Sequence, residues 1–265
     1  MELIHHIQMG AGAPPLVFVH GFCCDHTDWA AQMACFAPRY RCIAVDLPGH
    51  GASPGVPRAA TIERFGASIA DVLAARELRG AVLCGHSLGC RVVVEAALQA
   101  PERVKALILV DGSQFAPEMG QALRDLFARP EGFATVTGDW FRDMFTARSD
   151  PAVVAAALAR AGRMDRALGE RLLLDLQRYD VTRLGASLAS LRIPVLALQS
   201  TWTNARRERA SLREGQGSPY LDMLRAGVPE LAVEIVPDCG HFPQIDAPSA
   251  TNAAIGRFLA SLAPA

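Results

Sequence analysis

The sequence predicts an α/β fold, in which a mostly parallel sheet is flanked by helices, and two observations lead to that prediction. Short apolar runs typical of buried strands alternate with helix-period segments through the first 112 residues. The alternation resumes after residue 191, whereas the stretch between has several helical patterns and no convincing strand. Parallel strands need crossover connections, so we expect one core, residues 1–112 and 192–265, that carries a helical cap at residues 113–191.

The individual elements follow from their local patterns. Apolar runs predict strands at residues 16–20, 41–45, 81–84, 104–110, 194–199 and 232–236. In residues 61–76 the apolar side chains recur at intervals of three and four, which places them on one face of an amphipathic helix. Another helix is predicted to begin near Thr27, a residue type that caps helices, and two more occupy residues 88–100 and 249–262.

The composition excludes several classes of protein. Hydrophobic residues make up 51% of the 265 positions and charged residues 20%, values typical of a globular protein and not of a disordered one. The 26 basic and 27 acidic residues give a net charge of −1, so no global field attracts nucleic acid or anionic lipid. The sequence has neither an apolar run long enough for a membrane span nor a secretion signal, and we expect a cytoplasmic protein.

The cysteines show neither the even number typical of a disulfide framework nor the spacing of a metal centre. There are seven of them, an odd number, and their positions show no paired metal-ligand spacing. We interpret them as reduced thiols that act as small core residues. The sequence therefore leads us to expect neither a metal nor a cofactor.

A nucleophile motif stands at residues 85–89, which read GHSLG and match the pattern G-x-S-x-G. Its position supports a functional interpretation, because a predicted strand ends directly before it and a predicted helix begins directly after it. In such a tight turn the flanking positions must be small, and the side chain of Ser87 projects above the carboxyl edge of the sheet. A serine hydroxyl becomes a good nucleophile only when a base takes its proton, and imidazole suits that role near neutral pH.

Three further motifs complete a pattern found in one large family. Residues 20–22 read HGF after an apolar strand, residues 46–53 read DLPGHGAS, and residues 240–242 read GHF after the last predicted strand. Together with GHSLG, these motifs resemble the α/β-hydrolase superfamily in its serine-nucleophile, esterase-like branch. The resemblance covers almost the whole chain outside the cap. It implies a sheet of the eight-stranded type, with the cap inserted after the sixth strand.

The same resemblance implies a role for each candidate site residue. Ser87 would attack the substrate, and His241 would act as its base. The backbone N–H groups of Phe22 and Leu88 would form an oxyanion hole, which stabilises the negative charge that develops on the carbonyl oxygen of the substrate.

The acid of the expected triad departs from the commoner family pattern. That pattern has an aspartate shortly after the strand at residues 194–199, but residues 200–204 read STWTN. Asp111 is the leading candidate, because it ends the strand beside the nucleophile's strand, where some relatives of this fold carry their acid. Asp238 is the alternative, although it stands so close to His241 in sequence that the required approach is awkward. An aspartate in this role fixes the tautomer of the histidine and stabilises the imidazolium.

A narrower resemblance suggests a second function. Residues 21–26 read GFCCDH and residues 241–246 read HFPQID, and with an acid at Asp111 they resemble the cofactor-free quinolone 2,4-dioxygenases of the same fold. In that group a His–Asp pair deprotonates a 3-hydroxy-4-quinolone and oxygen attacks the resulting anion, without metal or flavin. Cys24 and Leu88 depart from this likeness, because the dioxygenases tend to have histidine at both positions.

The leading hypothesis is a serine hydrolase that cleaves a small, largely apolar carboxylic ester through an acyl-enzyme. The alternatives are the dioxygenase and a small-molecule receptor that has kept the triad. Dehalogenase and epoxide hydrolase chemistry is disfavoured, since both use an aspartate where Ser87 stands. Candidate substrate contacts are Cys24, His86, Trp140 and Phe242. We expect a small-molecule substrate and no nucleic-acid or membrane partner.

Overall fold

The main sheet of the protein has seven strands. The computed structural model describes residues 3–203 and 208–262. These ranges contain nine strands: β1 (His6–Met9), β2 (Leu16–Val19), β3 (Cys42–Val45), β4 (Ala81–His86), β5 (Val104–Val110), β6 (Val195–Gln199), β7 (Thr201–Thr203), β8 (Arg209–Ser211) and β9 (Leu231–Ile235). The sheet order is β1-β3-β2-β4-β5-β6-β9, and β7 and β8 pair as a separate hairpin. Within the sheet β1 is antiparallel to β3, and all other neighbours are parallel.

Helices lie between most of the strands in chain order. The described residues form α1 (Ala30–Phe36), α2 (Ile62–Ala75), α3 (Leu88–Gln99), α4 (Met119–Phe127), α5 (Gly132–Thr135), α6 (Pro151–Ala161), α7 (Arg166–Thr182), α8 (Leu184–Ala189), α9 (Pro219–Gly227), α10 (Pro243–Asp246) and α11 (Pro248–Ser261). Thr61 caps α2, since its hydroxyl accepts the backbone N–H of Arg64 at 3.3 Å. Successive side chains of β2 enter different apolar clusters, Val17 one and Phe18 the other. Both faces of the sheet are therefore buried, as the apolar strand runs predict.

The fold class predicted from the sequence is confirmed, with differences in detail. In the described ranges the main sheet has seven strands instead of eight. With one strand fewer before it, the helical insertion follows the fifth strand in chain order and not the sixth. The strands β1, β7 and β8 were not predicted from the sequence, and they have only three or four residues each.

The helical insertion, residues 113–191 with α4 to α8, is joined to the rest of the protein by ion pairs that are largely buried. Arg91 on α3 donates to the two carboxylate oxygens of Asp180 on α7, at 2.9 and 2.7 Å. Arg160 on α6 reaches the turn before α1, where it pairs with Asp28 at 2.5 Å. Loss of one partner would leave the other charge buried and uncompensated, so these contacts fix the insertion relative to the sheet.

The cysteines are all free thiols, and six of the seven are buried. Cys35 is exposed on α1, so the expectation that every cysteine is a core residue is wrong at this position. Among residues 3–203 and 208–262, no helix combines the length and the apolar character that crossing a membrane requires.

Candidate active site

The nucleophile turn joins β4 to α3. Ser87 has φ 54° and ψ −113°, a backbone conformation that residues other than glycine rarely adopt. The turn is tight, because a Cβ atom on Gly85 would lie 2.3 Å from the carbonyl oxygen of Gly89. A Cβ atom on Gly89 would in turn lie 2.5 Å from the carbonyl oxygen of Val19 on β2. Both glycines are therefore required by close backbone approach, as a strand-turn-helix motif of this kind predicts.

Ser87, His241 and Asp111 meet at the carboxyl edge of the sheet. The Oγ atom of Ser87 lies 2.9 Å from Nε2 of His241, and Nδ1 of that ring lies 2.5 Å from Oδ2 of Asp111. Ser87 follows β4, Asp111 follows β5, and His241 follows β9. Parallel strands end at one edge of a sheet, which brings these distant parts of the sequence together. A hydroxyl, an imidazole and a carboxylate in this order can activate the hydroxyl as a nucleophile.

Asp111 is the carboxylate that lies against His241. It is fully buried and accepts hydrogen bonds from the Ser200 N–H at 2.8 Å, the Thr201 N–H at 2.7 Å and the Thr201 hydroxyl at 2.6 Å. Burial alone would raise the pKa of Asp111, but hydrogen bonds from His241 and Thr201 help to hold it below its ordinary value. The side chain of Asp238, the alternative acid, is 74% exposed and pairs with an exposed arginine instead.

His241 is held from both sides. Its backbone N–H donates to the carbonyl oxygen of Met144 in the insertion at 2.8 Å. Its own carbonyl oxygen accepts a hydrogen bond from Nε2 of His86 at 2.7 Å, and the two rings lie 4.8 Å apart. Burial and then the charge of Arg209 lower the pKa of His241 to about 4, against the opposite effect of Asp111. The imidazole is therefore neutral near pH 7 and can accept a proton.

The residues predicted to form the oxyanion hole flank the nucleophile. Leu88 is the first residue of α3, where the backbone N–H has no acceptor within the helix. Phe22 follows Gly21 in the turn after β2, and a Cβ atom on Gly21 would lie 3.2 Å from Cβ of Ser87. Both residues are thus next to the nucleophile, and the role of their amides stays a prediction.

The four candidate substrate contacts differ in their relation to the triad. His86 and Phe242 are buried against His241, with ring centroids 4.8 and 5.5 Å from it. Cys24 is buried in the turn after β2, the same turn that carries Phe22. Trp140 lines a cleft formed by residues of the insertion, none of which belongs to the triad. Their part in substrate binding stays a prediction.

Arg209, a residue of β8, lies beside the triad and was not predicted from the sequence. Its Nη1 atom lies 3.1 Å from Nδ1 of His241 and 3.8 Å from Oδ2 of Asp111. The same atom donates a hydrogen bond to the hydroxyl of Thr201 at 2.7 Å. No motif marks this arginine, because the three-residue strand that carries it has no recognisable pattern.

The profile of the family described as "Alpha/beta hydrolase family" matches residues 16–254. The chain belongs to this family. Ser87, Asp111 and His241 all lie within the matched range of this α/β hydrolase.

Relatives in sequence have several activities. A dihydrolipoyllysine-residue acetyltransferase component of an acetoin cleaving system from Pseudomonas putida is 27% identical over 262 residues, which cover 94% of this α/β hydrolase and 64% of the relative. A pimeloyl-[acyl-carrier protein] methyl ester esterase from Nitrosomonas europaea is 39% identical over 105 residues, which cover 40% of each chain. The α/β hydrolase thus spans 40% to 64% of the length of these relatives.

Solved structures show the same fold. A thermophilic esterase from Thermogutta terrifontis matches with a TM-score of 0.80 at 25% identity, covering 98% of this α/β hydrolase and 93% of the esterase. The enol-lactonase from Burkholderia xenovorans LB400 matches with a TM-score of 0.79 at 19% identity, covering 97% and 96%. Together these relatives support a hydrolase. They give no specific support to the likeness to quinolone dioxygenases.

Proposed function

We propose that this α/β hydrolase is a serine esterase that cleaves a small, largely apolar carboxylic ester through an acyl-enzyme. The observation that carries the proposal is the 2.9 Å contact between Oγ of Ser87 and Nε2 of His241. The other ring nitrogen lies 2.5 Å from Asp111, so Nε2 is free to act as the base. A serine in contact with a neutral, oriented imidazole is an activated nucleophile.

Acylation begins with proton transfer from the hydroxyl of Ser87 to Nε2 of His241. The serine oxygen bonds to the carbonyl carbon of the ester, and an electron pair moves onto the carbonyl oxygen. When this intermediate collapses, the bond to the alkoxy group breaks, and His241 gives its proton to the departing alcohol. Asp111 stabilises the imidazolium throughout and does not itself take the proton.

Deacylation repeats these steps with water. His241 takes a proton from water, whose oxygen bonds to the acyl carbon. Collapse of the second intermediate breaks the bond to Ser87, the serine oxygen regains a proton from His241, and a carboxylic acid leaves. The N–H groups of Phe22 and Leu88 would stabilise the anionic oxygen in both halves, each by about 3 kcal/mol.

The proposed substrate class rests on the surroundings of the triad and on the relatives. The ring of Phe242 is an apolar surface next to the base, with its centroid 5.5 Å from that of His241. Relatives named as esterases include the Nitrosomonas europaea and Thermogutta terrifontis proteins. Extending ester hydrolysis to this chain, with a small uncharged acyl or aryl ester as substrate, is part of the proposal.

The proposal is tested by active-site labelling together with a substrate comparison. We expect a fluorophosphonate to attach to Ser87 in one equivalent, as located by mass spectrometry, and to stop the hydrolysis of short-chain aryl esters. The Ser87→Ala variant is the control and should take no label. A 3-hydroxy-4-quinolone is offered in parallel while dissolved oxygen is measured, and no oxygen should be consumed.

Two results would contradict the esterase. Oxygen consumption with the quinolone, retained in Ser87→Ala and lost in His241→Ala, would establish the dioxygenase. A shift in melting temperature with ligand but without turnover of any ester would indicate a receptor.

A further inference from the structure

A fixed positive charge lies directly against the His–Asp pair. The guanidinium of Arg209 approaches Nδ1 of His241 to 3.1 Å and the Asp111 carboxylate to 3.8 Å, and its side chain is only 20% exposed. Neutral His241 uses its Nδ1 hydrogen for Asp111, so the 3.1 Å approach joins two groups that both carry hydrogens. This contact is therefore not a hydrogen bond, and its electrostatic effect is unfavourable to a charged imidazole.

The position of Arg209 is set by other partners. The hydroxyl of Thr201 accepts a hydrogen bond from Nη1 at 2.7 Å, and the same hydroxyl donates to Asp111 at 2.6 Å. The charges of Asp111 and of Asp143 in the insertion both stabilise the guanidinium. One hydroxyl thus links the arginine to the carboxylate, and the cation stays close to the ring without bonding to it.

We propose that Arg209 is a positioning residue of the triad, which shares the charge of Asp111 and keeps the imidazole of His241 in its neutral, proton-accepting form. This inference rests on the proposed function, because it assigns Arg209 a role in the proposed triad. It goes beyond that function by naming a charged group that moves the acidic limit of activity to lower pH.

The other charges around His241 do not replace the effect of Arg209 on the protonation of the imidazole. Asp111 favours the imidazolium, whereas Arg209 and the more distant Arg91 of α3 oppose it. The ring of His86 lies 4.8 Å from that of His241 and contributes no charge near neutral pH, because burial lowers the pKa of His86 to about 3. Among the residues that the structure describes, Arg209 is therefore the cation with the larger effect on the imidazole and the one that counters the carboxylate.

The sign of the pH effect follows directly. Catalysis needs neutral His241, so the rate falls as the pH drops through the pKa of its imidazole. Burial first, and then Arg209, lowers that pKa to about 4. Removing the cation makes protonation easier, raises the pKa and moves the acidic limb of the kcat/KM profile to higher pH.

The test compares the pH profile of kcat/KM with a direct titration of the ring. In Arg209→Met we expect the acidic limb to move up by about one pH unit or more. The NMR titration of His241, labelled at the imidazole carbon, should move in the same direction and by the same amount. Arg209→Lys, which keeps the charge, should restore most of the wild-type profile. Arg213→Met, at an exposed arginine that follows the hairpin, is the matched control and should change neither quantity.

An unchanged titration of His241 in folded Arg209→Met would overturn the inference. Arg209→Gln serves as a second neutral variant if the methionine variant does not fold. The titration needs no turnover, so it separates two kinds of failure. If Ser87 takes no label but His241 still shifts, the proposed function fails and the role of Arg209 stands. If Ser87 is labelled and His241 does not shift, only the role of Arg209 fails.

A separate cluster at the end of β3 has the donor set of a metal site. Asp46 is fully buried, and its two carboxylate oxygens lie 2.8 Å from Nδ1 of His5 and 2.9 Å from Nδ1 of His26. The ligand atoms of the three residues all lie within 4.8 Å of one another. The side chains of His5 and His26 are 38% and 22% exposed, which gives an ion a route from solvent.

The backbone hydrogen bonds to Asp46 leave one lone pair on each carboxylate oxygen available to a metal ion. One oxygen accepts the N–H of His26 at 2.8 Å, and the other accepts the N–H of Ala52 at 2.9 Å. Each oxygen has a second lone pair, which now faces an imidazole. If both rings carry their hydrogen on Nε2, the two Nδ1 atoms and the carboxylate are all acceptors, grouped within 4.8 Å of one another.

The geometry points to a Zn²⁺ site formed by His5, His26 and Asp46. Two imidazoles and one carboxylate are ligands that zinc accepts, with water completing the coordination. No metal is expected from the sequence, because the cysteines have no metal-ligand spacing and these three ligands are far apart in the chain. The site is separate from the triad, so binding of zinc here does not depend on the proposed function.

Zinc binding is measured by isothermal titration calorimetry and thermal unfolding on untagged protein, with zinc alone as the probe. We expect one Zn²⁺ per chain, a raised melting temperature, and at least about tenfold weaker binding in His5→Gln and in His26→Gln. His6→Gln, which alters a histidine directly beside the cluster, is the control and should bind as the wild type does. Absence of stoichiometric binding would overturn the inference, as would equal binding by all three variants.

Discussion

Replacing Ser87 by alanine is expected to lower kcat for ester hydrolysis by about 10⁶-fold. The serine oxygen forms the covalent bond to the acyl group, and no other hydroxyl lies as close to Nε2 of His241 among the described contacts. Folding should be unaffected, because the Ser87 side chain makes no capping hydrogen bond to α3. The measurement is kcat at saturating aryl ester, together with the melting temperature of each protein.

Ser68→Ala is the matched control for this prediction. Ser68 lies on α2, and its hydroxyl bonds only to the carbonyl of Arg64 in its own helix. Its kcat should equal that of the wild type. Retention of more than about one hundredth of wild-type kcat in Ser87→Ala would show that Ser87 is not the nucleophile.

Replacing Asp111 by asparagine is expected to lower kcat by about 10⁴-fold. An amide cannot stabilise the imidazolium, and it allows the other tautomer of His241, in which Nε2 carries the hydrogen and cannot act as a base. We also expect a loss of about 1 to 3 kcal/mol in the free energy of unfolding. The reason is that Asp111 accepts hydrogen bonds from Ser200 and Thr201, and the amide NH₂ cannot accept them.

The comparison with Asp238→Asn decides between the two candidate acids. Asp238 is exposed and has φ 56°, a backbone conformation that asparagine tolerates well, so the variant should fold normally. Its kcat should stay within about twofold of the wild type. A large loss in Asp238→Asn with little loss in Asp111→Asn would reverse the assignment.

Most of the parallel sheet was predictable because its strands are buried on both faces. A strand such as β5, which is apolar along almost its whole length, is visible in the sequence without any tertiary information. The strand β1 was not predictable, because it is an edge strand with polar residues at two of its four positions. The hairpin of β7 and β8 depends on pairing between three-residue segments, which local patterns do not reveal.

The residues of the candidate triad were predictable for a different reason. Ser87 and His241 lie in short motifs, and Asp111 follows from its position at the end of a recognisable strand. Arg209 has neither a motif nor a strand pattern, and only the folded chain brings it to His241. The sequence therefore predicts the candidate triad, but not the arginine that lies beside it.

The position of Asp111 directly after β5 has a consequence for the evolution of this protein. In a protein whose acid follows β6, changes in that loop endanger the reaction itself. Here the segment after β6 supplies no carboxylate to the proposed triad, and Ser200 and Thr201 hold Asp111 through their backbone N–H groups and the Thr201 hydroxyl. Natural variation in the remainder of the hairpin can therefore adapt the enzyme to acidic or neutral surroundings while its chemical step is inherited unchanged.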